Sequence, residues 1–68
     1  MNMNLASIQN VLLVGYGISG KSTFDFLTKQ GQRIHVYDDD INKTVPNRVV
    51  NIDDINWNTI DIVIKSPS

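Results

Sequence analysis

The residues with the clearest chemical potential are Gly15-Tyr16-Gly17-Ile18-Ser19-Gly20-Lys21-Ser22. Gly15, Gly17 and Gly20 spell G-x-G-x-x-G, the dinucleotide fingerprint. Gly15 with Gly20-Lys21-Ser22 spells G-x-x-x-x-G-K-S, the P-loop. Both patterns hold phosphate against bare backbone N–H groups at the N-terminus of a helix, but they demand different folds. In a P-loop, Lys21 reaches back to a β- or γ-phosphate and Ser22 ligates Mg²⁺. In a dinucleotide loop, Gly15 turns the chain out of a strand, Gly17 admits a diphosphate and Gly20 lets the helix pack on the sheet.

The flanking segments decide which loop is expected. Residues 11–14, Val-Leu-Leu-Val, form a continuous apolar run ending in glycine, the pattern of a strand buried on both faces in a parallel sheet. A helix is predicted from near Ser19. At about 100° per residue, Thr23, Phe24, Phe26 and Leu27 fall on one arc, and Lys21, Ser22, Asp25, Thr28 and Lys29 on the other. Gly31 supplies the stop. Arg33 to Tyr37 alternates as a second strand and ends in Asp38-Asp39-Asp40. Residues 42–47 are polar and turn-like. Residues 48–52 are expected as a short third strand, Asp53 as the cap of a brief helical turn carrying Ile55 and Trp57, and residues 60–64 as a further strand.

This order predicts an α/β fold: a Rossmann-like parallel sheet, represented by its first β-α-β half and further short strands. One domain spans 1–68, and the missing remainder of the sheet implies a piece of something larger. Strand, loop, helix, strand and Asp38 together satisfy the context that the dinucleotide motif requires, with an acid about 20 residues on. The P-loop reading fits less well. Gly17 is a surplus glycine for it, Lys21 falls on the wet arc beside Asp25, and no strand of the Walker-B kind follows. The bland alternative is a tight strand–helix corner with no ligand.

Asp38 sits where the crevice of such a sheet opens and is a candidate ligand contact; Asp39 is a second candidate, and a solvated turn is the plain alternative for all three acids. Their charge disfavours a 2′-phosphate, hence NADP, and adjacent acids on a short turn make a poor Mg²⁺ site. His35 reads as structural, Trp57 as cover for the core. No nucleophile–base pair is present, so no catalytic residue is expected.

Composition narrows the class. The 68 residues carry no cysteine and one histidine, so neither disulfides nor a thiolate or His-rich metal site is available. Six Lys and Arg against seven Asp and Glu give a net charge of −1, which fits neither nucleic acid nor a membrane surface as partner. No apolar run approaches a membrane span and the first residues do not form a signal peptide, so a cytoplasmic location is expected. An open half-sheet with bare edges predicts self-association or partial disorder in solution.

Residues 10–22, with the motif Gly15-Tyr16-Gly17-Ile18-Ser19-Gly20-Lys21-Ser22, resemble the opening of the Mur ligase family, in which a strand is followed by Gly-x-Gly-x-[Ser/Thr]-Gly-x-Ser and a helix with an aromatic–leucine pair like Phe26-Leu27. Val36-Tyr37-Asp38-Asp39-Asp40 resembles the family's second strand and its aspartate; Trp57, residues 60–64 and Ser66-Pro67 resemble the later stretch that ends in Ser-Pro-Gly. The similarity runs along nearly the whole chain. It implies a Rossmann-like module that binds a UDP-sugar peptide rather than NAD, with UDP-N-acetylmuramoyl-L-alanine as the substrate of the best-matching branch. It further implies that Gly15, Gly17, Ile18, Ser19 and Gly20 meet the diphosphate, that Asp38 and Asp39 lie near the uracil, and that Ser68 closes the other side of the uridine. Ser68 stands where the family has glycine, and Asp39-Asp40 where some members have Thr-Arg, which alters the contacts expected at both places. The implied full enzyme is an ADP-forming amide ligase that adds D-glutamate, with ATP and Mg²⁺ bound by a separate central domain and a C-terminal domain helping to place glutamate. This chain alone is then not expected to catalyse. The alternatives from other classes are an NAD(H)-sensing regulatory module and a P-loop nucleotide-binding protein.

Overall fold

The computed structural model describes residues 8–67. Ser68, named above as a site residue, lies outside them. Three parallel strands, β1 (Asn10–Val14), β2 (Arg33–Tyr37) and β3 (Ile62–Lys65), form one sheet in the order β2-β1-β3. One helix, α1 (Ile18–Lys29), joins β1 to β2. The central position of β1 explains its unbroken apolar run: Val11 and Leu13 face the helix side, Leu12 faces the other, and all three are buried. In register, Val11 and Leu13 stand beside Ile34 and Val36 of β2 and Ile62 and Ile64 of β3. Val11, Leu13, Ile34 and Val36 with Leu27 of α1 make the core, and Ile62 and Ile64 pack against it.

The helix obeys its sequence signals at both ends, with one shift. It begins at Ile18, one residue before Ser19. It stops at Gly31, whose φ of +88° is a conformation that suits glycine. Gly31 N–H donates to the Thr28 carbonyl and Gln32 N–H to that of Leu27, the paired bonds of a Schellman stop. Leu27 and Gly20 are buried and Phe24 is partly so, but Phe26 is 55% exposed. Phe26 lies at the margin of the predicted apolar arc, and a single helix on a narrow sheet covers only the arc's centre.

The second half of the chain is more irregular than its sequence suggests. The expected strand at 48–52 contracts to a single parallel bridge between Val36 and Arg48. Asn47 bars extension on its N-terminal side: its φ is +49°, and its side-chain amide donates to the Ile34 carbonyl in place of a backbone group. Two 3₁₀ turns follow, Ile52–Asp54 and Trp57–Thr59. They are capped by Asn51 and Asn56, which accept the N–H groups of Asp53 and Asn58, so Asp53 is a capped residue and not the cap. Trp57 is 52% exposed and does not seal the core. The last strand is Ile62–Lys65, two residues later than the expected start, because Asp61 is used otherwise. Its carboxylate accepts the N–H groups of Gln9 and Asn10 and ties down the start of β1.

Counting the bridge at Arg48, the segments lie in the order third, second, first, fourth along the chain. This is consistent with a partial Rossmann-like sheet. The order reverses between β1 and β3, and in open α/β sheets the ligand crevice opens at the carboxyl ends of the strands flanking such a reversal.

Candidate functional site

A cleft of about 930 Å³ opens at that point. Its walls are the ends of all three strands: Val14, Gly15, Tyr16 and Gly17 after β1; Tyr37 to Asp40 and Lys43 after β2; Lys65, Ser66 and Pro67 after β3.

The glycine turn is built by close approach. Gly15 has φ of +94°, and its N–H donates to the Tyr37 carbonyl at 2.8 Å, which carries the chain over the end of β2. A Cβ on Gly20 would run into the carbonyl of Gly15. The helix can therefore start this near the strand only with glycine there, the packing role expected of the third glycine. Ser66 completes the corner. It is buried, its N–H donates to the Val14 carbonyl at 2.8 Å, and its side chain stands within van der Waals distance of where a Cβ of Gly15 or Gly20 would lie. Gly17 differs: a Cβ on it would meet nothing within 4 Å, and its φ of −86° suits any residue.

Gly17 is the N-cap of α1 and offers no side chain to its orphan donors. The first intrahelical bond is from Lys21 N–H to the Gly17 carbonyl at 2.9 Å. Among the described residues no acceptor meets the N–H groups of Ile18, Ser19 or Gly20, and these three donors end the helix at its positive pole. The helix thus starts before Gly20, whereas a P-loop keeps irregular backbone up to its Gly-Lys pair so that the N–H groups wrap the phosphate. Lys21 and Ser22 are exposed and lie outside the cleft.

Asp38 is buried, and its carboxylate is engaged on several sides. Oδ1 accepts Asp40 N–H at 2.9 Å, and Oδ2 accepts Tyr16 N–H at 2.9 Å and the Lys43 ammonium at 3.2 Å. The N–H groups of Asp40 and Tyr16, helped by Lys43 against the cost of burial, pull its pKa down to about 2. Asp38 accordingly braces the end of β2 against the glycine turn. Asp39 and Asp40 are exposed on the cleft wall, and Asp40 Oδ1 accepts Asn42 N–H at 3.0 Å. Among the described residues no three His, Cys, Asp or Glu side chains are placed to hold a metal ion.

The structure therefore brings Gly15, Gly17, Asp38 and Asp39 to one cleft, while Ile18 and Ser19, exposed on the first turn of the helix, and the buried Gly20 are not among its lining residues. His35 is exposed on its strand, away from the cleft lining. Lys43 and Lys65 line the cleft without having been singled out by any motif. Only the placing of Lys43 five residues after Asp38, in a polar turn, hinted at such a partner. Tyr16 stacks edge-on against Phe24, with ring centroids 5.9 Å apart, which fixes the side chain between the two motif glycines. No protein-family model, curated protein or solved structure matches the chain. No helix among the described residues is long and apolar enough to cross a membrane.

Proposed function

We propose that this chain is the substrate-binding, N-terminal part of a cytoplasmic Mur ligase that adds D-glutamate to UDP-N-acetylmuramoyl-L-alanine in peptidoglycan precursor synthesis. The observation that carries the reading is the uncapped start of α1, with three unpartnered N–H groups, beside a cleft at the strand-order reversal. A diphosphate seated on Ile18, Ser19 and Gly20 N–H, with the Ser19 hydroxyl beside it, places the attached nucleoside in the cleft between the 38–43 turn and Ser66-Pro67. The Mur assignment itself rests on the sequence resemblance, which joins that glycine motif to the Ser66-Pro67 ending.

The NAD alternative gives the acid after β2 the task of receiving ribose hydroxyls. Asp38 is buried and already holds Tyr16, Asp40 and Lys43, so in either reading it braces the turn and leaves direct ligand contact on this side to exposed residues such as Asp39. The chain's contribution is binding and orientation: the helix end neutralises phosphate charge and the cleft walls orient the nucleoside. Phosphorylation of the alanyl carboxylate by ATP, attack by D-glutamate and Mg²⁺ binding belong to residues outside this chain.

Calorimetric titration with UDP-N-acetylmuramoyl-L-alanine, NAD, and ATP with Mg²⁺ tests the reading. Binding of the UDP compound alone is expected. Binding of NAD alone overturns it, and binding of ATP–Mg²⁺ alone restores the P-loop. Turnover of substrate and D-glutamate by the isolated chain would overturn the assignment of catalysis to other domains.

A further inference from the structure

The wall of the cleft formed by residues 38–43 is an irregular turn bearing three successive carboxylates, and such a turn has little reason to hold one shape. Its own bonds go partway: Asp40 N–H to Asp38, Asn42 N–H to Asp40, and Lys43 N–H to the Asp40 carbonyl at 3.1 Å. The rest comes from behind. Arg48 Nη1 donates to the Asp38 carbonyl at 3.0 Å, and Nη2 donates to those of Asp40 at 2.9 Å and Lys43 at 2.6 Å. One guanidinium thus gathers the carbonyls at the start, middle and end of the turn. A planar fork of donors suits this task, and an ammonium on a flexible stem does not reproduce it.

Arg48 is itself held by the sheet. It forms the bridge to Val36, while Asn47 carbonyl accepts Val36 N–H at 3.1 Å and Val49 N–H donates to the Val36 carbonyl at 2.8 Å. Its charge also stands among the carbonyls of an acidic turn that otherwise has only Lys43 to offset Asp38, Asp39 and Asp40. Arg48 does not line the cleft. It reaches the wall from the outer edge of β2 and holds the carbonyls of lining residues without lining the cleft itself.

We propose that Arg48 is a positioning residue that sets the nucleobase-side wall of the cleft, and with it the preference for one base over another. The inference rests on the uridine reading above for its ligand, but its structural half stands without one. The variants are Arg48→Met, which removes the fork and the charge, and Arg48→Lys, which keeps the charge and guards against a fold too damaged to measure. The probes are UDP, CDP and inorganic pyrophosphate, together with amide hydrogen exchange.

In both variants, exchange at Asp40, Asn42 and Lys43 is expected to accelerate while β1 and α1 keep their protection. The UDP-to-CDP preference is expected to fall about tenfold in Arg48→Met and less in Arg48→Lys, with pyrophosphate affinity unchanged. Unchanged exchange in the turn overturns the proposal whatever binds. An unchanged UDP-to-CDP ratio, or an equal loss of pyrophosphate and UDP affinity, overturns its role in selectivity. If the unsubstituted chain binds neither UDP nor pyrophosphate, the uridine reading and the selectivity role fail together, and the exchange result alone decides whether Arg48 positions the turn.

Discussion

The carboxylate of Asp38 accepts the backbone N–H of Tyr16 at 2.9 Å, which couples the end of β2 to the turn that leaves β1. Removing that acceptor exposes the turn's cost. Asp38→Ala is expected to destabilise the chain by about 2 kcal/mol, as for the loss of a buried charged acceptor, and Asp38→Asn by less, since one oxygen remains. Urea unfolding at neutral pH measures both; a change indistinguishable from zero in Asp38→Ala would show that the brace is idle.

Acid should reveal the same group. The pKa of Asp38 is depressed in the folded chain, to about 2 from an ordinary 3.8. Its contribution is therefore fully present above the ordinary value and is lost as pH falls through the folded value. Asp61 is depressed as well, by the N–H groups of Asn10 and Gln9, and adds to the loss. The stability difference between the unsubstituted chain and Asp38→Asn should shrink between pH 4 and pH 2. A difference constant over that interval would contradict the assignment.

The motif glycines should separate fold from binding. Gly20→Ala drives a Cβ into the Gly15 carbonyl, so a loss of about 2–3 kcal/mol is expected. Gly17→Ala meets open space and should leave stability within about 0.5 kcal/mol. That same Cβ projects beside the uncapped helix start, so Gly17→Ala should weaken UDP about tenfold. Thermal melts and titration of the two variants check the contrast; equal stability loss in both would remove it.

Lys21 supplies a clean test of the P-loop alternative. It is exposed and outside the cleft, so Lys21→Met should change UDP affinity by less than about twofold. A variant that loses binding of ATP–Mg²⁺ shown by the parent would make Lys21 a phosphate ligand after all.

Association is expected at the open side of the sheet. In the described residues β3 has no neighbour beyond it, and Val63 there is half exposed, as is Trp57. Bare strand edges and apolar surface of this kind pair with other copies. Sedimentation over a range of concentrations should show a rising mass that Val63→Lys reduces; a strictly monomeric parent would argue against it.

The parts legible in the sequence were those fixed by local pattern. The apolar run before Gly15 identified a strand buried on both faces because only a central strand tolerates it, and alternation defined Arg33–Tyr37. Gly31 stopped the helix through a conformation that glycine adopts freely. What failed was set by partners distant along the chain. Phe26 shares the apolar arc but lies beyond the part covered by so narrow a sheet. Residues 48–52 have strand-forming types, yet Asn47 and Arg48 spend their side chains on β2 and the acidic turn. Asp38 stood out as a candidate by position alone; that its carboxylate faces Tyr16 and Lys43 depended on geometry no spacing rule contains.

Ser66 has a consequence beyond its hydrogen bonds. Because its side chain stands next to the space that a Cβ on Gly15 or Gly20 would fill, the bulk at position 66 acts as a gauge between the last strand and the helix start. A residue one methyl group larger would wedge these two apart, and a residue without the hydroxyl would let them settle inward. The aperture of the cleft is thereby calibrated by a residue of its own wall, whose bulk sets how far the last strand stands from the helix start.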